Sequence, residues 1–148
     1  MFQPGSAAAN VFTKVELSIR CANLINADFM SKSDPMVVLE QKQDTGWLEL
    51  GRTETVWDNL NPEFQKKFSL EYHFEMHQML RFSVYDIDSE RRNLSDHDFL
   101  GKIEVSLGEI VSAQVSSEKI SYFMSFRRSN VERTHIGGLL RIRALLAT

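Results

Sequence analysis

The sequence alternates apolar and polar residues in short runs along most of its length. In the first run, from Lys14 to Cys21, the apolar side chains of Val15, Leu17 and Ile19 stand at every second position. A period of two is typical of a half-buried β-strand, because successive side chains of an extended chain point to opposite faces. Strands with one apolar face favour a fold in which sheets pack face to face.

Similar runs predict five more strands, at 68–72, 80–84, 103–107, 120–126 and 140–146, and two less regular apolar runs predict strands at 36–39 and 47–50. Turn residues stand between several of them: Ser33-Asp34-Pro35, Asp44-Thr45-Gly46, Asn59-Leu60-Asn61-Pro62 and Gly137-Gly138. One helix is predicted, near 107–111. Many short strands with regular turns indicate an all-β fold, an eight-stranded antiparallel Greek-key β-sandwich.

Composition narrows the class of protein further. The chain has 148 residues, 43% of them hydrophobic, which suffices for a core without disulfides or structural zinc. Its single cysteine, Cys21, falls on the apolar side of the first strand, where we expect a buried thiol. A formal charge of −3 gives no indication of nucleic-acid binding.

The pattern also predicts the domain organisation. Residues 1–13 contain small and turn-forming residues, and we expect them to form a flexible N-terminal arm. Residues 14–148 are expected to form one domain, a module of a longer protein. The chain has neither a signal-peptide pattern nor an apolar run of about 18 residues, so we expect a cytoplasmic location.

Five aspartates are concentrated in two predicted loops. Asp28 and Asp34 lie in loop 1, between the first and second strands, whereas Asp86, Asp88 and Asp98 lie in loop 3, between the fifth and sixth. Such a group of carboxylates would repel one another without a cation. Irregular coordination by several oxygens suits Ca²⁺ better than Mg²⁺. The spacing therefore predicts a calcium site, although it does not match the loop of an EF-hand.

Four short motifs in a fixed order resemble a C2 domain, a calcium-dependent phospholipid-binding module. They are Asp28-x5-Asp34-Pro35, Asn61-Pro62-Glu63-Phe64, Val84-Tyr85-Asp86-Ile87-Asp88 and Ser95-Asp96-His97-Asp98-Phe99-Leu100-Gly101. The stretches Ser31-Lys32-Ser33-Asp34-Pro35, Gly51-Arg52-Thr53-Glu54 and Leu107-Gly108-Glu109-Ile110-Val111 are most similar to the first C2 domain of the copines. Because loop 1 follows the first strand and an additional strand ends the chain, the resemblance implies the type II topology.

The resemblance also implies a ligand set and a function. It makes Asp28, Asp34, Asp86, Asp88 and Asp98 the ligands of two or three Ca²⁺ ions, with Ser95 as an accessory ligand. The expected function is non-catalytic. A rise in Ca²⁺ would recruit the parent protein from the cytoplasm to the plasma membrane or another anionic phospholipid membrane.

Residues near the loop tips are the expected membrane contacts. Phe29 and Met30 in loop 1 and Leu94 in loop 3 would insert apolar side chains, and Arg91 and Arg92 would face anionic lipid. We interpret Trp47 and Trp57 as packing residues in preference to a ligand cage.

Two other functions remain open at this point. The first is a calcium-insensitive scaffold C2 domain that binds proteins, which a chelator-insensitive interaction without vesicle binding would favour. The second is an enzyme that uses paired carboxylates, as a glycoside hydrolase does, although the loops of a small sandwich offer little substrate cleft.

Overall fold

Antiparallel strands make up most of the fold. The computed structural model describes residues 11–26, 31–115, 121–126 and 135–146. Within these ranges it contains eight strands, one α-helix and a short 3-10 helix at Leu94–Asp96. The elements are β1 (Thr13–Ala22), β2 (Pro35–Gln43), β3 (Gly46–Arg52), β4 (Phe68–Tyr72), β5 (Met79–Asp86), β6 (Asp98–Ser106), α1 (Leu107–Val115), β7 (Ser121–Phe126) and β8 (His135–Leu146).

The strands form two four-stranded antiparallel layers. The hydrogen-bonded order is β3-β2-β5-β6 followed by β7-β8-β1-β4. Within the described residues one register pair, Lys102 with Ser125, joins β6 to β7. Apolar residues from both layers pack into one core, so the predicted β-sandwich is confirmed.

The alternation in β1 corresponds to burial. Val15 and Leu17 are fully buried, Ile19 is 2% exposed and Cys21 is 3% exposed. Burial raises the pKa of the Cys21 thiol to about 12, because the low-polarity core disfavours the thiolate. The predicted buried thiol is confirmed, and Cys21 packs as a small apolar side chain.

Strand β8 pairs with β1 along most of its length, from Val15 with Leu146 to Ala22 with Leu139. Loop 1 thus follows the first strand and β8 is the additional last strand, which is the order that implies the type II topology. Loop 1 (23–34), loop 2 (53–67) and loop 3 (87–97) all begin at the same end of the sandwich, because β1, β3 and β5 end there.

The structure corrects two local predictions. Gly137 and Gly138 lie inside β8 and do not form a turn. The backbone of Gly138 approaches that of Ala22 and Asn23, and a Cβ there would lie 2.9 Å from the Asn23 carbonyl oxygen. The glycine signal thus marks a close backbone approach within a strand.

Strand β1 also begins at Thr13, inside the predicted arm; residues 1–10 of that arm lie outside the described residues.

Helix α1 begins with a capping box. The Ser106 hydroxyl oxygen accepts a hydrogen bond from the Glu109 N–H at 3.1 Å, and Glu109 Oε2 accepts from the Ser106 N–H at 2.9 Å. These two bonds satisfy donors that a helix start leaves open. Glu109 Oε2 also accepts from the Ser106 hydroxyl at 2.8 Å, and the two bonds that this carboxylate accepts hold the pKa of Glu109 below its ordinary value of 4.5.

We expect Glu109→Gln to lower the free energy of unfolding at pH 7 by about 0.5–1 kcal/mol, because the capping carboxylate is ionised there. A carboxyl whose pKa is lower in the folded state than in the unfolded state stabilises the fold at pH values above its unfolded pKa. That stabilisation is lost as the pH falls through its folded pKa. The free energies of unfolding of the variant and the wild type, measured by urea titration, should therefore become equal well below pH 4.5. Glu75→Gln, an exposed glutamate in the turn after β4, is the control; an equal loss in both variants would contradict the assignment.

Candidate metal centre

Three carboxylates converge where β5 leaves the sandwich and β6 enters it. One oxygen from each of Asp86, Asp88 and Asp98 lies within 4.8 Å of the others. Asp86 is fully buried, whereas Asp88 and Asp98 are exposed. This acidic trio has an inner and an outer side, so an ion held by it would still reach solvent.

The inner position of Asp86 follows from the strand pattern. Phe82, Val84 and Asp86 occupy alternate positions of β5, and all three are buried on the inward face. Asp86 therefore ends a row of core residues. Asp88 follows two positions further on, at the start of loop 3.

A β-bulge brings Asp98 to this position. Val84 pairs with Gly101, but Tyr85 pairs with Phe99, so Leu100 is an extra residue in β6. Without the bulge the partner of Asp86 would be an aromatic residue; with it, Asp86 faces Asp98. Directly opposed residues of antiparallel strands share a face, which places the two carboxylates side by side.

Asp34 does not belong to the acidic trio as folded. Its backbone N–H donates to Asp86 Oδ1 at 2.7 Å, and its own Oδ1 accepts from the Asp58 N–H at 2.6 Å. The Lys32 N–H donates to Asp58 Oδ1 at 2.8 Å. Asp34 thus lies next to the trio and ties loop 1 to loop 2. The fifth aspartate of the prediction, Asp28, lies outside the described residues.

Loop 3 carries hydrogen bonds that sequence reasoning missed. His97 is 9% exposed; its Nδ1 accepts from the Asp88 N–H at 3.1 Å, and its Nε2 lies 2.6 Å from the Arg91 carbonyl oxygen. Arg52, on β3, donates from Nη1 to the Arg92 carbonyl oxygen at 2.7 Å. No spacing rule signals these contacts, because they join residues brought together by the loop path.

The other predicted site residues lie on the surface of loop 3. Arg91, Arg92 and Ser95 are exposed and Leu94 is partly exposed. The Ser95 N–H donates to Asn93 Oδ1 at 3.2 Å. Phe29 and Met30 lie outside the described residues.

The prediction that Trp57 is a packing residue is wrong. Trp57 is 68% exposed in loop 2, and it lines a cavity of about 410 Å³ together with Ile87 and Arg91 of loop 3. An exposed tryptophan is amphipathic, and such side chains are favoured where a surface meets a membrane interface. A tryptophan in a turn-rich segment signals little by itself, since exposure depends on the path of the loop.

The donors present fit a hard divalent cation. The trio offers oxygen ligands alone, from three like-charged groups, one of them removed from solvent. Ca²⁺ accepts six to eight oxygens in irregular geometry, so three carboxylates supply part of a shell that other oxygens can complete. Cysteine and histidine ligands of the kind that zinc favours are not in this group.

Helices long and apolar enough to cross a membrane do not occur in the part of the chain that the structure describes.

Comparisons with known proteins agree with the fold. The family model described as "C2 domain" matches residues 14–122. The chain is 44% identical over 119 residues to "Nicotinic receptor-associated protein 1" of Caenorhabditis briggsae; the match covers 68% of this chain and 19% of that relative. This chain thus spans about a fifth of that relative's length.

Solved structures show the same architecture at low sequence identity. "BON1-C2B" is 20% identical with a TM-score of 0.71, covering 97% of this chain and 99% of the other. A C2 domain of plant "Extended Synaptotagmin 1" is 20% identical with a TM-score of 0.60, covering 92% of this chain and 96% of the other. With the family model matching most of the described strands, the chain belongs to the C2 domain family.

Proposed function

We propose that this chain is a Ca²⁺-dependent phospholipid-binding module that lacks catalytic activity. The observation that carries the proposal is the acidic trio, Asp86, Asp88 and Asp98, at the open end of a C2 sandwich. Asp34 is adjacent to the trio through its bond to Asp86, and we include it with Asp28 in the proposed ligand set. Ser95 is the proposed accessory ligand, and the set is proposed to hold two or three ions.

The bound ions and the residues around the trio would contribute to membrane attachment in different ways. When bound, Ca²⁺ supplies positive charge and coordination positions for lipid phosphate oxygens. Arg91 and Arg92 would each add about 1 kcal/mol of attraction near an anionic surface. Trp57 and Leu94 present apolar surface at the same end and would lie at the headgroup level, together with Phe29 and Met30 of loop 1.

The wider setting is part of the same proposal. We place the chain as the first C2 domain of a copine-like protein, with the domain at residues 14–148. In a longer parent chain it would move that protein from the cytoplasm to the plasma membrane or another anionic membrane as Ca²⁺ rises. The motifs quoted above and the 44% identity to a much longer relative support this placement.

Co-sedimentation with phosphatidylserine-containing vesicles tests the function. We expect the chain to pellet with the vesicles at millimolar Ca²⁺ and to stay in the supernatant in chelator or at equal Mg²⁺, because the trio must be neutralised before an anionic surface can approach. Vesicles of phosphatidylcholine alone should retain much less protein.

A matched pair of variants ties the response to the site. Asp98→Asn should abolish pelleting, whereas Asp96→Asn removes the same charge from the 3-10 helix of loop 3 and should keep it. Failure of the wild type to pellet at any Ca²⁺ concentration would reject the membrane function and favour the protein-binding scaffold.

A further inference from the structure

Loop 3 must hold a defined shape for the acidic trio to exist. It contains 11 residues, 87–97, and connects Asp86, at the end of β5, to Asp98, at the start of β6. Asp88 lies within the loop itself, so its position depends on the loop path and not on strand pairing. The three carboxylates repel one another, which favours opening of the loop.

The buried ring of His97 makes hydrogen bonds to two backbone groups of loop 3. The Asp88 N–H can only donate, so Nδ1 of His97 is the acceptor and the ring proton lies on Nε2. Nε2 then donates to the Arg91 carbonyl oxygen at 2.6 Å. One buried ring therefore bridges the beginning and the middle of the loop through its two nitrogens.

Arg52 of β3 binds the next carbonyl of loop 3, that of Arg92. Its Nη1 donates to the Arg92 carbonyl oxygen at 2.7 Å. The other side of the guanidinium is oriented by Glu49, with contacts of 2.6 Å from Nε and 3.1 Å from Nη2. Two consecutive carbonyls of loop 3, those of Arg91 and Arg92, are thus held by two side chains that are not themselves carboxylates of the site.

We propose that His97 and Arg52 are positioning residues that hold loop 3 in its ion-binding shape and keep Asp88 beside Asp86 and Asp98. The affinity part of this inference rests on the proposed function. The loop-holding part rests on the hydrogen bonds alone. Residues that orient metal ligands from behind typically change metal affinity by about 10–100-fold when they are removed.

The experiment measures Ca²⁺ affinity and loop protection in the same 148-residue chain. We expect His97→Ala to weaken Ca²⁺ binding by about tenfold or more by calorimetric titration. In chelator it should also speed hydrogen exchange at the Asp88 amide. His97→Asn should recover much of the affinity, because its side-chain oxygen can replace Nδ1 as acceptor; a residue that merely fills space would show no such rescue.

Arg52→Lys tests the second contact. Lysine keeps the charge but lacks the planar fork that holds Glu49 and the Arg92 carbonyl together, so Ca²⁺ affinity should fall in this variant as well. His77→Ala, an exposed histidine in the turn after β4, is the control and should leave both readouts unchanged. If His97→Ala does not fold, His97→Leu, which fills the space without an acceptor for the Asp88 N–H, takes its place and should bind Ca²⁺ more weakly than His97→Asn.

The outcomes separate the two claims. A wild type that binds Ca²⁺ with a His97→Ala variant of equal affinity overturns the positioning role. A wild type that binds no Ca²⁺ rejects the proposed function instead, and exchange at the Asp88 amide in chelator then decides the loop-holding role. Faster exchange in His97→Ala supports it, and unchanged exchange overturns it.

Discussion

Replacing Asp86 and Asp88 together by asparagine is expected to abolish the rise in melting temperature that Ca²⁺ gives the wild-type chain. For the wild type, a free Ca²⁺ concentration of 100 times the dissociation constant stabilises the folded state by about 2.7 kcal/mol. In a domain of this size that corresponds to about 10 °C. The double variant should melt at the same temperature with Ca²⁺ as with chelator.

The fold should survive this double substitution. Asparagine at position 86 keeps an Oδ1 that can accept the 2.7 Å hydrogen bond from the Asp34 N–H, which joins loop 1 to β5. The substitution also removes like charges that lie within 4.8 Å of each other. In chelator the double variant should therefore be as stable as the wild type or more so.

Differential scanning fluorimetry with and without chelator measures this effect, and Asp96→Asn serves as the charge-matched control. That control should keep the full Ca²⁺ response. Global unfolding of the double variant would show that Asp86 and Asp88 are structural residues, and an undiminished Ca²⁺ response would place the ion elsewhere.

Gly138→Ala is expected to lower the free energy of unfolding by about 3–4 kcal/mol. The residue has φ +124°, which L side chains rarely adopt, and an added Cβ would lie 2.9 Å from the Asn23 carbonyl oxygen and 3.0 Å from that of Ala22. Those oxygens belong to backbone at the end of β1, where Ala22 pairs with Leu139 of β8. Relief would require the strand pair to separate.

Gly46→Ala isolates the conformational part of this effect. Gly46 has φ +134° at the β2–β3 hairpin, and an added Cβ there meets nothing within 4 Å. Gly46→Ala should lower the free energy of unfolding by about 1–2 kcal/mol, which is the cost of the unfavourable backbone conformation alone. Urea unfolding of both variants measures the difference; equal losses would show that β8 moves away from β1 at little cost.

Local pattern predicted most of the fold because strand periodicity is a property of the chain itself. Burial at every second residue of β1 is what the sequence indicated, and the capping residues Ser106 and Glu109 stand where a helix start was expected. The same reasoning failed at Gly137-Gly138 and at Trp57. A glycine pair and a tryptophan each have two common uses, and neighbours distant in sequence decide between them.

The features of the candidate site likewise fall into those that the sequence determined and those that the tertiary structure decided. The sequence by itself determined which carboxylates are available and that Asp86 and Asp88 stand two positions apart directly after an apolar strand, because both follow from residue identity and spacing. Tertiary structure alone decided that Asp98 faces Asp86, through the extra residue Leu100, and that His97 and Arg52 hold loop 3. Register shifts and loop contacts depend on the energy of the assembled layers, which no short stretch of sequence encodes.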